Sequence, residues 1–322
     1  MKRPWLPARP VSLCLSSCLL AVLVLLTGCF SDDDYTKTVT QFQQASASLT
    51  QAYQSFLTNA NIVEESSFID SQVFEAKPLD PASIRSQDLL TPDEIKLRIS
   101  AIKALSDYTT ALATLASGKP APQTQADATK ASASLKTLTS DATKALAHPT
   151  AHSKTPNFAD PVSSAASAIG DIIVLLEKRH AQAELRDSLT RNDPQVKALF
   201  DLIGKESREL YARRKSTLGA TGVTLFEDYD TARQARPVNS ATLLELSDRI
   251  KQYQSESAIL GDSDPAKAIE AFQQSHDALV DAILAPKEKK KQSLAQLIDA
   301  VKSFATEVTP LSQDLYGIGK SL

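Results

Sequence analysis

The chain has only four histidines, so few side chains are suited to hold a transition metal. Glu177 and His180 form a Glu-x-x-His pair, a spacing that puts both side chains on one face of a helix. Two such pairs, with one glutamate from each of two further helices, build the di-iron sites of helical bundles. The other histidines have no glutamate three residues before them: His148, His152 and His276. A two-metal carboxylate site is therefore not expected.

His148 and His152 are four residues apart, the spacing of a zinc-binding pair on a helix. Pro149 lies between them and disfavours a helix there, and no third ligand is evident. We therefore predict that both histidines lie in a loop, and that the chain holds neither a metal nor another cofactor.

His276 falls on an apolar stripe with residues such as Phe272 and Leu279 at helical spacing. A core or rim histidine that is hydrogen-bonded to a neighbour is the expected interpretation. A periplasmic pH sensor is the alternative, since histidine titrates near neutral pH.

Signatures of nucleophilic catalysis and phosphate binding are also missing. The sequence contains no Gly-x-Ser-x-Gly turn, no Gly-x-Gly-x-x-Gly loop and no Gly-x-x-x-x-Gly-Lys loop. We therefore predict no catalytic residues and a non-enzymatic protein.

The amino-terminal segment has the pattern of an export signal. Lys2, Arg3 and Arg9 precede an apolar run over residues 11–27. A basic start followed by such a run is recognised by the secretion machinery. The mature chain is expected to be exported.

Leu26, Thr27, Gly28 and Cys29 close this run and together resemble the lipobox of bacterial lipoproteins. The resemblance implies cleavage between Gly28 and Cys29, with fatty acids such as palmitate attached to Cys29. Each buried methylene contributes about 0.8 kcal/mol, so two or more acyl chains form a stable membrane anchor. An ordinary secretory signal with an unrelated cysteine is the alternative. The mature domain resembles only uncharacterised helical lipoproteins of Gram-negative envelopes.

The residues after the cysteine bear on the choice of membrane. In lipoproteins an aspartate directly after the lipidated cysteine commonly retains the product at the inner membrane, whereas here Phe30 and Ser31 come before Asp32. The resemblance therefore implies the outer membrane, with the protein facing the periplasm. Cys14 and Cys18 lie inside the signal, so the mature chain is expected to have no internal disulfide.

The net charge of the mature chain bears on the kind of partner that it can bind. Removing residues 1–28 from the 322-residue chain leaves 294 residues with 32 basic and 38 acidic side chains, a formal charge of −6. Nucleic-acid binding needs a basic stripe or patch, so no nucleic-acid partner is expected.

Two short basic stretches remain. We interpret "PKEKKK" at 286–291 as a solvated helix start, with contact to anionic lipid headgroups as the alternative. We expect "YARRKS" at 211–216 to pair with Glu206 and Glu209 on neighbouring turns of its own helix, with binding to acidic partners as the alternative.

Apolar side chains recur every three or four residues through the mature chain, which predicts amphipathic helices. The seams are most regular over 35–63 and 294–318. A capping residue followed by proline predicts helix starts at 91–92, 160–161, 193–194 and 264–265, whereas "LGATG" at 218–222 is expected to break a helix.

No run shows the alternating pattern of a strand. We therefore predict an all-α protein, an elongated antiparallel bundle of about eight helices with coiled-coil-like seams. Looser composition at 75–90 and 148–158 predicts linkers. The expected organisation is a signal peptide at 1–28, an N-terminal helical region at 29–147, a linker at 148–158 and a C-terminal helical bundle at 159–322.

These observations favour a lipid-anchored cell-envelope protein with a binding, scaffolding or assembly role. In this hypothesis a partly uncovered apolar seam binds another envelope protein. The main alternative is a periplasmic carrier or sensor that holds a small apolar ligand between helices, near Ile172, Leu176 and Phe200. An immunity or inhibitor-type lipoprotein is a third hypothesis.

Overall fold

The computed structural model describes residues 32–74, 77–116, 121–147, 158–178, 182–262 and 264–321. These residues form nine α-helices and no strand, which confirms the predicted all-α bundle. In chain order the helices are α1 Asp32–Phe74, α2 Pro81–Arg85, α3 Pro92–Ala116, α4 Ala121–Ala147, α5 Ala159–Lys178, α6 Gln182–Gln234, α7 Ser240–Asp262, α8 Pro265–Leu284 and α9 Lys290–Ser321. Eight are long, and the five-residue α2 lies in the segment predicted to be a loose linker. None of the described helices has both the length and the hydropathy needed to cross a bilayer.

Several helix starts follow the predicted capping pattern. Before α3, the Glu94 backbone N–H donates to the Thr91 hydroxyl at 3.2 Å, and the Thr91 N–H donates back to the Glu94 carboxylate at 2.8 Å. Asn239 and Asp264 accept backbone N–H groups in the same way before α7 and α8. These bonds satisfy donors that a helix start leaves without a partner.

Helix α6 departs from the sequence prediction, because it runs without interruption from Gln182 to Gln234. The predicted start at 193–194 is wrong, since Pro194 lies inside the helix. An internal proline removes one backbone hydrogen bond, but tertiary contacts hold the preceding turns in place. Leu185 and Leu189 are buried there, and Arg186 donates to the carbonyl oxygens of Ile283 and Ala285 at 2.9 and 3.0 Å.

The predicted break at 218–222 is also wrong. Glycine lowers helix stability by about 1 kcal/mol relative to alanine, a modest cost in a long helix. Leu218 at the start of this segment and Leu225 just after it are both buried, and packing of this face keeps the helix continuous.

Consecutive long helices from α3 to α6 alternate in direction. Helices α1 and α6 run parallel to each other. Three hydrogen-bonded side-chain pairs show this, because the two partners are 153 or 154 residues apart in each: Tyr53 with Ser207, Glu64 with Thr217 and Ser67 with Thr221. Helices α7 and α8 follow one another along α6, both antiparallel to it. Helix α9 returns along α8, where the Ser275 hydroxyl donates to the Ala300 carbonyl oxygen at 3.0 Å.

The two predicted seams form much of the main core. From α1 and α9 it includes Val39, Phe42, Leu49, Phe56, Leu297, Val301, Phe304 and Val308. The Phe42, Phe200, Phe272 and Phe304 rings meet at centroid distances of 5.0–5.8 Å. This core includes residues from both predicted helical regions, and residues 148–157 of the predicted linker lie outside the described part of the chain.

Three helix segments extend beyond this core and pack on one another. We call them the arm: residues 58–74 of α1, residues 211–234 of α6, and α7. Among the arm side chains that the structure describes, four are apolar, buried and separate from the main core: Leu218, Leu225, Leu246 and Leu260. The arm therefore has a thinner apolar interior than the rest of the bundle.

Candidate functional site

The arm contains a cavity of about 250 Å³ between its three helices. Its apolar wall is formed by Ile62 and Val63 of α1 with Leu218 and Leu225 of α6. Neutral polar side chains from all three helices complete much of the lining. The charged lining residues are Asp70, Arg214, Arg249 and Glu256. The cavity is therefore a concave surface of mixed polar and apolar character.

Gly222 shapes one wall of this cavity. A Cβ atom at Gly222 would lie only 2.3 Å from Cζ of Tyr253, so the glycine lets this ring approach the α6 backbone. The Tyr253 ring lines the cavity and also meets Phe226 edge-on, with 6.4 Å between ring centroids. The glycine expected to end a helix instead permits close contact between α6 and α7.

Arg214 is the most unusual lining residue. Its side chain is only 6% exposed, and no carboxylate of the described residues forms an ion pair with it. Burial lowers the pKa of its guanidinium, although the negative charge of Glu256 partly opposes this effect. Arginine carries five N–H donors and no acceptor, so a buried guanidinium calls for an anionic or carbonyl partner.

Of the other three charged lining residues, two form an ion pair with each other and the third lies outside that pair. Arg249 Nη2 lies 2.5 Å from Asp70 Oδ2, so these two charges neutralise each other. The Gln252 amide donates to Glu256 Oε1 at 2.9 Å, but Glu256 forms no ion pair with a residue that the structure describes. The cavity therefore presents one cation, Arg214, and one anion, Glu256, without an ion-pair partner.

Exposed large apolar side chains are concentrated toward the tip of the arm. Seven are found among the residues whose side chains are described, and five lie in the arm or its turn: Val73, Val223, Phe226, Val238 and Leu244. Leu244 has the largest exposed fraction, 67%. The remaining two, Leu79 and Val174, lie outside the arm.

His276 is a core histidine with a hydrogen-bonding neighbour, as predicted. Its side chain is fully buried, with the Tyr108 and Phe200 rings 5.7 and 5.4 Å away between centroids. Its Nδ1 lies 3.4 Å from Asp277 Oδ1. Its Nε2 has no hydrogen-bond partner within the described structure.

Asp193, His276 and Asp277 bring potential metal-ligand atoms within 4.8 Å of one another. The Lys197 ammonium lies 2.8 Å from Asp193 Oδ2 and 3.4 Å from Asp277 Oδ1. Because this ammonium already sits between the carboxylates, we interpret the cluster as an ion-pair network. The sequence does not predict it, since its members come from separate helices.

A second polar network joins α3 to α6 near the base of the arm. Arg98 donates to both carboxylate oxygens of Glu206, with Nε 2.8 Å from Oε2, and both side chains are only 1% exposed. Arg98 also lies over the Phe158 ring, 5.0 Å from its centroid. Burial raises the pKa of Glu206, and the hydrogen bond and charge of Arg98 oppose that rise.

These contacts correct the prediction for the basic stretch at 211–216. Glu206 pairs with Arg98 rather than with its own helix, and Arg213 Nε lies 3.4 Å from Glu64 of α1. The charges of α6 therefore tie neighbouring helices together. The other basic stretch, at 286–291, is exposed at the turn into α9, as predicted.

The remaining predicted residues have different outcomes. Cys29, His148, His152 and His180 lie outside the described residues, as does the Glu177 side chain. Ile172 and Phe200 are fully buried in the main core and do not line the arm cavity, and the Leu176 side chain lies outside the described residues, so an apolar ligand site at these three residues stays a prediction. The signal that could have located the cavity is the polar character of the arm segments, whose helical faces carry arginine, glutamate and serine where a seam would carry leucine.

Comparison with known proteins yields no relative: no family model, no curated protein and no solved structure matches this chain.

Proposed function

We propose that this protein is a lipid-anchored cell-envelope protein with a non-enzymatic binding role, and that the arm is its binding element. The observation that supports this role best is the cavity of the arm, with its buried Arg214 guanidinium and no ion-pair partner for it among the described residues. Buried arginines are normally paired, and one that lines a cavity favours an external ligand.

The anchor belongs to the same proposal. The lipobox resemblance assigns lipidation to Cys29, three residues before α1 begins at Asp32. Helix α1 has 43 residues and is about 65 Å long. Because the arm includes the far end of α1, the anchor and the tip would be separated by about this distance, with the tip extending away from an outer-membrane surface into the periplasm.

Lipidation is tested by labelling cells with radioactive palmitate while they express either the natural protein or Cys29→Ala. We expect label only on the natural protein, and an uncleaved, heavier Cys29→Ala chain because the lipobox is lost. Unlabelled natural protein would contradict the anchor. Cys14→Ala provides the matched control and should remain labelled.

Binding by the arm is tested by native mass spectrometry of the mature protein released gently from envelopes. We expect a small-molecule adduct on the natural protein and its loss in Arg214→Gln. Arg213→Gln, which changes the preceding residue of the same helix, one that does not line the cavity, should retain the adduct. Absence of any adduct, even after incubation with envelope extract, would count against a ligand in the arm.

A second candidate function is docking of an envelope protein at the tip of the arm. The concentration of exposed apolar side chains there favours it, because such clusters commonly mark contact surfaces. A photo-crosslinking residue at Phe226 or Leu244 should capture the same partner in intact cells, whereas one at the exposed Val174 of α5 should not. Equal capture at all three positions would contradict docking at the tip.

A further inference from the structure

We propose that the cavity of the arm binds a free α-amino acid, or a zwitterion of similar size, with an apolar side chain. This inference rests on the proposed binding role of the arm and adds the chemical class of its ligand. Its basis is the combination of charges, volume and apolar surface in one cavity.

The charged side chains of the cavity favour a ligand that carries both a positive and a negative charge. Arg214 and Glu256 both line the cavity, and neither has an ion-pair partner among the described residues, whereas Asp70 and Arg249 neutralise each other. A purely anionic ligand would suit Arg214 but would be repelled by Glu256. A purely cationic ligand would meet the reverse problem. A zwitterion places a carboxylate at the buried Arg214 and an ammonium group at the partly buried Glu256, so both charges gain a partner.

The volume limits the size of the ligand. The cavity of about 250 Å³ lies just below the range of about 300–1,000 Å³ that is usual for small-molecule sites, so it suits a small ligand. Leucine, isoleucine and valine are of suitable size, whereas most of a lipid or a nucleotide would extend outside it.

The apolar wall of the cavity is the reason to expect an apolar side chain on the ligand. Ile62 and Val63 of α1 face the cavity together with Leu218 of α6. A branched aliphatic side chain would cover this wall and remove its apolar surface from water. Glycine offers no such contact and should bind much more weakly than leucine.

The test is isothermal titration of the purified full-length mature protein, in detergent, with leucine and three analogues. Isocaproate lacks the ammonium group of leucine, isoamylamine lacks its carboxylate, and glycine lacks its side chain. We expect leucine to bind at least about tenfold more tightly than each analogue, because each loses one charge-assisted contact or the apolar contact.

Variants assign the two charges separately. Arg214→Gln should weaken leucine and isocaproate binding at least about tenfold and leave isoamylamine binding unchanged or stronger. Glu256→Gln should remove the preference for leucine over isocaproate. Arg213→Gln is the matched control and should bind leucine normally. If Arg214→Gln fails to fold, Arg214→Lys and Glu256→Gln still test the assignment, since both retain side chains of similar length.

Two results would overturn the inference: no heat of binding for leucine, valine or phenylalanine up to about 10 mM, or equal binding of leucine and isocaproate that Glu256→Gln does not change. If an adduct found by native mass spectrometry is lost in Arg214→Gln but is not displaced by amino acids, the binding role stands and only this ligand class fails. If neither adduct nor amino-acid binding is found, the binding role fails as well.

Discussion

Tyr53 and Tyr108 are both fully buried, but their hydroxyl groups have different surroundings. The Tyr53 and Ser207 hydroxyl oxygens lie 3.3 Å apart and share a hydrogen bond, and the Ser207 hydroxyl also contacts the Ile203 carbonyl oxygen at 2.6 Å, whereas the Tyr108 hydroxyl has no partner among the described residues. Burial raises the pKa of both phenols, so both stay neutral in the physiological range. A buried polar group without a partner costs free energy, and the two tyrosines should therefore respond in opposite ways to loss of the hydroxyl.

We expect Tyr108→Phe to raise the free energy of unfolding by about 1 kcal/mol, since it removes an unsatisfied polar atom without leaving a cavity. Tyr53→Phe should lower it by about 1 kcal/mol, because the hydrogen bond between the Tyr53 and Ser207 hydroxyl groups is lost. Urea denaturation followed by circular dichroism measures both changes. A loss of stability in Tyr108→Phe would indicate that this hydroxyl has a partner, such as a buried water.

The Arg98–Glu206 pair predicts strong non-additivity. Arg98→Met or Glu206→Leu alone leaves one buried charge unpaired and should cost about 3–5 kcal/mol. The double variant, which replaces the pair by apolar side chains, should cost much less than the sum of the two single changes. Urea denaturation of all three variants gives the coupling. The exposed Arg208–Glu270 pair is the control, and its single variants should each cost less than about 1 kcal/mol.

Asp277 gives the protein an acid-dependent contribution to stability. Burial alone would raise the pKa of Asp277, but hydrogen bonds and charges from His276 and Lys197 outweigh it, and the pKa is lowered. The one further charged group in the cluster is Asp193, which the Lys197 ammonium contacts. Because the folded-state pKa is below the unfolded one, the stabilisation is present above the ordinary value of 3.8 and is lost as the pH falls through the folded-state pKa.

We expect Asp277→Asn to lower stability at neutral pH by less than about 1 kcal/mol, since more than a third of the side chain is exposed. The difference from the natural protein should shrink as the pH falls below about 4. Urea denaturation between about pH 3 and pH 7 measures this dependence. Asp281→Asn, an exposed change on the same helix, is the control, and a parallel loss at all pH values would contradict the argument.

At the scale of elements, α6 decides the architecture of the arm. Its 53 residues extend for about 80 Å, so one helix serves both the main core and the arm. Helices α8 and α7 pack along successive parts of α6, and residues 58–74 of α1 lie parallel to the second half of α6. Had α6 ended at 218–222, the arm would have lacked the helix that carries Leu225 and supports Tyr253.

Gly219 and Gly222 of α6 should respond differently to substitution by alanine. A Cβ atom at Gly219 meets nothing within 4 Å, so Gly219→Ala should stabilise the helix by up to about 1 kcal/mol. The same change at Gly222 would place a Cβ atom against the Tyr253 ring and force it to move. Gly222→Ala should therefore gain no stability and should weaken ligand binding in the arm, as measured by thermal unfolding and titration. Equal stabilisation by both changes would show that the Tyr253 ring yields freely.

At the scale of the whole molecule, the main core and the arm differ in how much apolar surface holds them together. Phenylalanines from several helices meet in the main core, whereas the arm interior contains a cavity and a few leucines. Regions with few buried apolar contacts open at lower free energy than the core of the same protein. The arm is therefore expected to open first.

Amide hydrogen exchange measures this difference. Peptides from 218–260 should take up deuterium faster than peptides from 97–112 of α3, at a denaturant concentration where the core is still protected. Addition of a ligand that fills the cavity should slow exchange in the arm and leave α3 unchanged. Equal protection of the two regions in the absence of ligand would contradict a separately opening arm.

The sequence determined the helical class and most helix starts, because these depend on residues within one or two turns of each other. The seams at 35–63 and 294–318 repeat every three or four residues, and buried positions in the structure follow that repeat wherever the side chains are described. Thr91 and Glu94 are three residues apart, so the bonds that cap α3 are visible in the sequence itself. The lipobox at Cys29 is equally local, and its lipidation stays a prediction.

Only the tertiary structure decided which charges meet and where the chain leaves a cavity. Arg98 and Glu206 are 108 residues apart, and Arg214 and Glu256 face one cavity from different helices. Tertiary packing also kept α6 continuous through Pro194 and Gly222, against local propensity. Relative to alanine, glycine costs a helix about 1 kcal/mol and an internal proline about 3 kcal/mol, and contacts between helices offset these costs. Periodicity shows which face of a helix is apolar. It does not show which other helix covers that face, because this depends on how the whole chain packs.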